Sequence, residues 1–508
     1  MMSRNNRYLA IFIILKFALQ FILLSPVYEL QRDEFLHLDQ ANHLAWGYLS
    51  VPPVTSWIST IIKLLGNSVF WVKFFPALFG ALTIVIVWKT IKELKGNTYA
   101  LILGATCVLF SALLRLNTLY QPNSLDILCW TTFFYLVIKY INSENQKWLY
   151  GIAIVFAIGF LNKYNMMFLL FGLVPAVVLT QQRKVFKVKG FYLAILLALL
   201  LVLPNVLWQY QHDFPVIRHL KELSDTQLVH VDRVDFLTSQ LLFFFGSLPV
   251  ILAGFYALLF YRPFKNYRLF FWAFLFTISG FLFFKAKDYY AIGLYPIYIA
   301  FGAVYIENIL KQGWKKYLRP VLIAFPLLFF IPMYTLIFPN KSPEYIVKNG
   351  DRYKAMGMLR WEDGKDHELP QDFADMLGWK ELAAKVDKAY AAIPNPNETL
   401  VLCDNYGQAG AINFYSEKGI QAVSFNADYI NWFNLDQKYT NLIRVINYSE
   451  RENEFSETST YFKTAAVVDS ITNKYAREKG TTIYTFLDAK GDVNETIRSE
   501  INERLNNH

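Results

Sequence analysis

Within residues 1–339 of this 508-residue chain, acidic side chains and histidines concentrate in one short stretch. The stretch reads YELQRDEFLHLDQANHLAWGYLSVPPVTSW and follows the first apolar run almost directly. It contains the adjacent acids Asp33 and Glu34, and its other ionisable side chains include Asp39, His37 and His43. A carboxylate beside apolar helices is costly unless it is paired or functional, so these residues are candidates for acid–base chemistry.

The chemistry that such carboxylates suit is attack by an acceptor hydroxyl on an activated carbon, with the carboxylate taking the proton. Asp126 begins a later apolar run, and we expect it to face the same external cavity as Asp33 and Glu34. The residue types alone are equally compatible with solvated loop acids or with acids at a helix N-terminus. Composition and topology are therefore needed to decide between a catalytic role and a structural role for these acids.

The composition is that of a membrane protein, because 55% of the residues are hydrophobic and only 18% are charged. Residues 1–339 carry 29 Lys and Arg against 14 Asp and Glu, whereas residues 340–508 carry 20 against 26. The basic excess thus belongs to the apolar part, where it sets membrane topology, and it does not indicate a nucleic-acid surface. The three cysteines share no metal-ligand spacing, so neither a disulfide framework nor a thiolate metal site is predicted.

About eleven apolar runs are long enough to cross a membrane. They lie at about residues 8–25, 69–88, 98–114, 123–141, 148–162, 165–181, 190–208, 236–260, 269–285, 289–308 and 320–338. The first run lacks a cleavage site of small residues, so we interpret it as a retained helix. Lys and Arg cluster on one face if all eleven cross, which places the N-terminus in the cytoplasm and the C-terminal segment outside.

Two domains are predicted. Residues 1–339 form a transmembrane domain whose large first external loop spans about residues 26–68, and residues 340–508 form an extracytoplasmic α/β domain. In the second domain we expect strands at 398–404, 421–425 and 481–486, and helices at 378–392 and from residue 408. The sequence NYGQAG lacks the spacing of a dinucleotide-binding fingerprint.

Several blocks, in this order, carry a resemblance: RDEFLHLDQANHLAWGYLSVPPVTSW, YQPNSLDILCW, GFLNKYN, LPNVLWQYQHDFP and KAKDYYAIGLYP. Together they resemble the dolichyl-phosphate-mannose–protein mannosyltransferase superfamily, and more closely its bacterial PMT-2, or family-39, members. In the C-terminal domain, FADMLGWKELA and NYGQAGAINFY are similar to the same bacterial group. The resemblance implies a GT-C fold and transfer of a sugar from a polyprenyl-phosphate donor to an acceptor on the outer face of the membrane.

The resemblance also implies roles for the acids. Asp33 matches the first acid of the family's Asp-Glu motif and would be the general base of a single inverting displacement. Glu34 matches the second acid and would orient the acceptor or a neighbouring cation. Asp126 matches the acid at the start of the fourth helix.

The departing phosphate needs cations that stabilise its developing charge. Lys287 is the first choice, because related enzymes carry a basic residue in this loop, and the other candidates are Lys285, Arg115, Lys163 and Arg32. Each of these side chains could instead extend to lipid headgroups. In the lipid A aminoarabinose transferase a Lys precedes the Pro-Pro corner, whereas this chain has Val51 there, so the first loop is not expected to hold the phosphate alone.

The candidate substrate-binding residues are His37, His43, Tyr48, Tyr289 and Tyr290. The histidines could instead satisfy hydrogen bonds near a polar cavity, and aromatic residues at these positions are also typical of an interfacial belt. His and carboxylate side chains suit divalent ions, but nothing in their spacing indicates a metal site, and no cofactor is predicted.

These observations predict an integral plasma-membrane glycosyltransferase whose partners are a lipid-linked sugar, an acceptor that is a lipid, glycan or protein, and the bilayer. The alternative is a transporter or flippase for lipid-linked sugars. A transporter is expected to show internal repeats and interrupted helices in paired positions. This sequence shows no repeat and gathers its ionisable residues at one external face, which favours the enzyme.

Overall fold

The structure is a computed structural model that describes residues 3–226, 228 and 231–506. The chain divides into two compact units. The first, here called the helical unit, comprises Met1–Leu23, Ala45–Thr55 and Phe70–Phe338. The second, here called the sheet unit, comprises Leu24–Leu44, Ser56–Val69 and Pro339–His508. Most of the predicted first loop, residues 26–68, therefore groups with the C-terminal segment.

Sixteen α-helices precede residue 340 in the part of the chain that the structure describes. They are α1 (Arg4–Ile22), α2 (Arg32–Asp39), α3 (Val54–Leu64), α4 (Val69–Glu93), α5 (Thr98–Leu109), α6 (Leu113–Leu116), α7 (Asn123–Ser143), α8 (Lys147–Asn162), α9 (Met166–Val178), α10 (Lys189–Gln211), α11 (Pro215–Thr226), α12 (Arg233–Phe243), α13 (Leu248–Phe260), α14 (Arg268–Phe283), α15 (Tyr295–Ile309) and α16 (Arg319–Met333).

Each of the eleven predicted apolar runs contains a helix. The run at 236–260 differs from the expectation, because two helices, α12 and α13, meet there at a bend of 63°. Gly246 and Pro249 account for the break, since glycine disfavours a helix interior and proline favours the first turn of a new one. Among the described residues, six helices are long and apolar enough to cross a membrane, or eight if each of two bent pairs is one span. The count of eleven stays a prediction.

Two helices show the contrast between the outside and the centre of the helical unit. α15 is almost wholly buried, whereas α10 exposes a row of leucines along its length. The exposed leucines are Leu193, Leu196, Leu199, Leu200, Leu201, Leu203 and Leu207. An apolar helix with so much exposed hydrocarbon is stable only against lipid, which supports a membrane-embedded unit.

Glycine residues set the distance between helices at the centre of the helical unit. α13 and α15 cross at Gly254 and Gly302, where a β-carbon on Gly302 would overlap the carbonyl group of Val250. Glycines at a crossing let two helix backbones approach closely, which maximises van der Waals contact where lipid removes the hydrophobic driving force. The core of the helical unit is therefore built on backbone contact as well as on aromatic packing.

The sheet unit contains the remaining elements. After residue 339 the helices are α17 (Pro343–Lys348), α18 (Gly350–Ala355), α19 (Gln371–Ala374), α20 (Trp379–Ala391), α21 (Tyr406–Tyr415), α22 (Arg451–Ser459) and α23 (Val493–Asn506). The strands are β1 (Thr399–Cys403), β2 (Ala422–Ser424), β3 (Asn441–Ile446), β4 (Phe462–Ser470) and β5 (Thr482–Ala489). The predicted strands and helices are all present, and β3 and β4 are additional.

The five strands form one mixed sheet in the order β2-β1-β3-β5-β4. The pairs β1–β2 and β1–β3 are parallel, and β5 is antiparallel to both β3 and β4. The sequence of β3 carries a buried arginine, Arg444, whose guanidinium pairs with Asp404 and Glu454. A charge inside a strand obscures the apolar pattern, which explains why β3 was not predicted.

Candidate functional site

The acidic pair lies at the start of the short helix α2, in the sheet unit. Gln31 caps this helix: its side-chain oxygen accepts a hydrogen bond from the Asp33 amide at 2.9 Å, and its own amide donates to the Glu34 carboxylate at 2.7 Å. This reciprocal arrangement is a capping box, which satisfies two backbone donors that the first turn of a helix leaves open. Glu34 is completely buried, and its hydrogen bond with the Gln31 amide explains why a carboxylate lies there.

Asp33 differs from Glu34 because it is half-buried, and its side chain remains partly accessible. Its Oδ1 accepts a hydrogen bond of 2.6 Å from the hydroxyl group of Tyr406, at the start of α21. Burial, followed by the nearby Asp33 charge, raises the pKa of Tyr406, so this phenol stays a neutral donor. The structure thus provides one accessible carboxylate on α2 with a fixed orientation.

Asp39 lies at the other end of α2 and is buried. Its two oxygens accept hydrogen bonds of 2.6 Å from the side-chain amides of Asn42 and Asn413. The next residue, Gln40, donates to the carboxylate of Asp428 at 3.0 Å. The C-terminal end of α2 is therefore tied by amide groups to the C-terminal segment, in the same way that the Tyr406 hydroxyl ties its beginning.

The two candidate histidines lie in different surroundings. His37 is buried with Nδ1 3.5 Å from Gln40 Oε1, and burial lowers its pKa, although the Asp33 charge opposes the shift. His43 is exposed and stacks on Trp432 with 4.3 Å between ring centroids and 9° between planes. Of the two histidines, only His43 has a solvent-accessible ring. A contact with substrate stays a prediction for both, and the accessible ring favours His43.

In the helical unit, Lys163 occupies the short link between α8 and α9. Its ammonium group donates to Asn123 Oδ1 at 2.7 Å and lies 4.1 Å and 5.0 Å from the ring centroids of Tyr290 and Tyr289. The two tyrosines follow Lys287, whose charge also faces Lys163. Aromatic faces attract a cation through their quadrupoles, so Lys163 is held by uncharged groups on three sides.

Asp126 is buried in the first turn of α7 and faces the same link. Its Oδ1 accepts from the Trp130 indole and its Oδ2 from Asn165 Nδ2, both at 3.0 Å. Asn165 also donates to the backbone carbonyl of Tyr290 at 3.0 Å. One asparagine thus connects the predicted acid Asp126 to the predicted tyrosine pair, so these residues belong to one cluster, here called the lysine cluster: Asn123, Asp126, Lys163, Asn165, Tyr289 and Tyr290.

The remaining candidates in the helical unit lie at different places in it. Arg115 donates to the Thr118 hydroxyl at 2.6 Å, within its own turn. Lys285 and Lys287 are half-buried before the 3₁₀ helix Asp288–Leu294. Tyr48 is buried, and its hydroxyl accepts from the Ala45 amide at 3.3 Å. Their predicted contacts with substrate stay predictions.

Sequence reasoning missed four residues that hold the predicted ones in place: Tyr406, Asn413, Asn123 and Asn165. Each lies in or beside a block that carries the family resemblance, but none has a charge or an unusual spacing that would single it out. Their partners are 39 to 374 positions away in sequence, so only the tertiary structure pairs them. Among the described residues, no group of three or more His, Cys, Asp or Glu side chains could hold a metal ion.

Comparison with known proteins supports the resemblance. Residues 50–208 match the family described as dolichyl-phosphate-mannose-protein mannosyltransferase. A curated relative, the lipid A galacturonosyltransferase RgtD of Rhizobium johnstonii, is 25% identical over 201 residues. That alignment covers 37% of this chain and 41% of the relative, so it spans less than half the length of either protein.

A solved structure matches almost the whole chain. It is ArnT from Cupriavidus metallidurans bound to undecaprenyl phosphate, with a TM-score of 0.61 and 11% identity, covering 95% of this chain and 98% of ArnT. At this identity the match shows the fold alone. This chain is a multi-pass membrane protein with a GT-C fold. The predicted GT-C fold with a C-terminal α/β domain is thereby confirmed, whereas the number of spans and the external position of that domain stay predictions.

Proposed function

We propose that this protein is a membrane glycosyltransferase that moves a sugar from a polyprenyl-phosphate donor to an acceptor outside the cytoplasm. The fold of ArnT and the similarity of residues 50–208 to the mannosyltransferase family support this class of reaction. The observation that carries the proposal is Asp33: an accessible carboxylate, oriented by a neutral donor, on a helix whose other acids are buried.

Asp33 is the general base in this mechanism. The acceptor hydroxyl gives its proton to Asp33 while its oxygen bonds to the anomeric carbon of the sugar. The bond between that carbon and the phosphate oxygen breaks in the same step, and the polyprenyl phosphate leaves with the bonding electrons. A single displacement inverts the anomeric configuration. Asp33 later returns its proton to solvent.

The lysine cluster stabilises the leaving phosphate. We favour Lys163 over the first choice from sequence, Lys287, because Lys163 is held in one position by Asn123, Tyr289 and Tyr290. A preorganised cation costs no reorganisation when negative charge develops on the phosphate, which is why fixed charges are effective in catalysis. Asp126 and Asn165 then position the link that carries Lys163, and Lys287 adds a second positive charge.

For topology, we propose that the N-terminus is cytoplasmic and that the C-terminal segment is extracytoplasmic. The support is the segregation of Lys and Arg in the links between apolar helices. This orientation puts α2 on the side of the membrane where lipid-linked sugars of this kind are used.

The test is transfer from a labelled undecaprenyl-phosphate sugar in membranes that contain the full chain. Undecaprenyl phosphates bearing a hexose, a hexuronic acid or a pentose are each offered with lipid A and with bulk membrane glycans as acceptors. We expect one of these donors to be used by the wild type, and Asp33→Asn to lower the rate by at least about 10³-fold, because it removes the base.

The matched control is Asp488→Asn, which changes an exposed acid in β5 whose positive φ of 54° an asparagine tolerates. Undiminished transfer by Asp33→Asn at normal expression contradicts the assignment of the base. If the wild type uses no donor but moves the lipid-linked sugar across liposome membranes, the protein is a flippase and the enzyme proposal is wrong.

A further inference from the structure

The contact between Tyr406 and Asp33 joins residues 373 positions apart, and its surroundings hold it tightly. Tyr406 is the first residue of α21, whose N-cap Asn405 accepts a hydrogen bond from the Gln408 amide at 3.0 Å. An N-cap of this kind fixes where a helix begins. The position and direction of the Tyr406 side chain are therefore fixed by the start of α21.

Two glycines on α21 allow the close approach to α2. A β-carbon on Gly407 would lie 2.5 Å from Cγ of Arg32, and one on Gly410 would lie 2.7 Å from Cβ of Phe35. Any larger residue at these positions would push α21 away from α2. The phenol of Tyr406 reaches the Asp33 carboxylate only because the two helices are this close.

The ring of Tyr406 is also fixed from the side. The guanidinium carbon of Arg32 lies 4.6 Å from the ring centroid, in the geometry of a cation–π contact. The charged groups near Tyr406 and Asp33 include Arg32, Glu34 and Asp375, and the titratable His37 also faces Asp33. Asp375 is in turn bound by Arg477, whose Nη1 is 3.2 Å from both carboxylate oxygens.

We propose that Tyr406 is a positioning residue for the transfer reaction, which holds the carboxylate of Asp33 in the rotamer that a general base requires. The proposal rests on the function proposed above and deepens it, because it assigns part of the proton-accepting apparatus to the C-terminal segment. A hydroxyl that donates a short hydrogen bond to a carboxylate restricts the rotation of that carboxylate.

The decisive variant is Tyr406→Phe, which removes one hydroxyl and keeps the ring against Arg32. We expect kcat to fall about tenfold with little change in the KM for the donor, because a less well oriented base affects the chemical step. Tyr390→Phe, on α20 of the same unit, is the matched control.

A second measurement separates positioning from folding. Thermal unfolding of the full-length protein in detergent compares Tyr406→Phe with the wild type. We expect similar unfolding temperatures, so that the loss of kcat is not a loss of fold. An unchanged kcat in Tyr406→Phe would falsify the inference, and so would a fall in kcat that is matched by a fall in the folded fraction.

The two proposals fail in different ways. If Asp33→Asn is inactive but Tyr406→Phe leaves kcat unchanged, only the role of Tyr406 is wrong. If Asp33→Asn transfers sugar as well as the wild type, the base assignment is wrong and the role of Tyr406 falls with it. In the Asp33→Asn background, Tyr406→Phe should cause no further loss, and an additional tenfold loss there contradicts action through Asp33.

Discussion

Asp33 and Lys163 carry opposite charges, and each is oriented by uncharged partners, but the partners come from different distances along the chain. Lys163 is held by Asn123, Tyr289 and Tyr290, all of which border apolar helices of the helical unit. Asp33 is held by Tyr406, which belongs to a segment that follows the last apolar helix. The cation is thus held within the helical unit, whereas the acid depends on the fold of the sheet unit.

This difference predicts that variants at the two places lose activity in different ways. Changes in the lysine cluster should act on the leaving group and leave the sheet unit folded. Changes around α2 should act on proton transfer, or on the stability of the sheet unit, and leave donor binding intact.

After the loss expected for Asp33→Asn, the largest effect is expected for Lys163→Met, which keeps the length of the side chain and removes its charge. We expect kcat/KM for the donor to fall by about 10²- to 10³-fold, because a fixed charge at the leaving phosphate is lost. Lys163→Arg should recover part of the loss, and Lys315→Met, which changes an exposed lysine in the helical unit, should have no effect. Equal kcat/KM values for Lys163→Met and the wild type would remove Lys163 from the mechanism.

A smaller loss is expected for Asn165→Ala. This variant removes the amide that joins the Asp126 carboxylate to the Tyr290 carbonyl, at 3.0 Å each, so the position of the Lys163 link is less well defined. We expect about a tenfold fall in kcat/KM for the donor, with the acid limb of the pH–rate profile unmoved. A shifted acid limb would show that the lysine cluster influences proton acceptance, and the contrast drawn above would not hold.

Glu34 distinguishes a helix cap from a catalytic acid. Glu34→Ala leaves the Gln31 amide without its buried acceptor, and we expect the free energy of unfolding to fall by about 1–2 kcal/mol. Gln also serves at this position of a capping box, so Glu34→Gln should cost clearly less. Thermal unfolding in detergent measures both. A Glu34→Gln protein that unfolds like the wild type yet transfers as poorly as Asp33→Asn would instead make Glu34 catalytic.

The smallest effect concerns His37. Burial lowers the pKa of His37 in the folded protein, so the unfolded chain binds its proton more readily, with a pKa of about 6.5. The folded state is therefore penalised as pH falls below about 6.5, by at most about 1.4 kcal/mol at pH 5.5.

His37→Asn removes this titration, so its unfolding temperature should fall less between pH 7.5 and 5.5 than that of the wild type. Asp375 shifts in the opposite direction, because burial raises its pKa to about 7, and its contribution is lost as pH rises. It is present in both proteins and cancels in the comparison. Identical pH dependence in the two proteins would show that His37 is not kept neutral.

The sequence predicted the positions of the apolar helices well, because length and hydrophobicity decide whether a segment can cross a membrane. It did not predict the bend between α12 and α13, where Gly246 and Pro249 override an otherwise apolar run. It also treated residues 26–68 as one external loop, whereas the structure forms α2 there and groups most of this region with the C-terminal segment.

For the candidate site, the sequence singled out residues whose charge made them conspicuous. It missed Tyr406 and Asn165, because neutral hydrogen-bonding side chains are common and gain meaning only from a partner far away in the chain. Glu34 shows the reverse case: an acid next to Asp33 invites a catalytic role, but the structure also gives it a capping contact with Gln31, three residues away. The capping box could have been recognised from the local sequence, and the catalytic role of Glu34 stays a prediction.

The three-segment construction of the sheet unit has a consequence for biosynthesis. Phe35 of α2 is completely buried against Trp379, Phe414 and Tyr415, at ring-centroid distances of 5.6–6.0 Å. During translation α2 leaves the ribosome long before these aromatic partners exist, and every apolar helix after α1 is made in between. A nascent chain that ends before α21 therefore holds Asp33 on an unanchored segment, and only a longer chain can have the base in place.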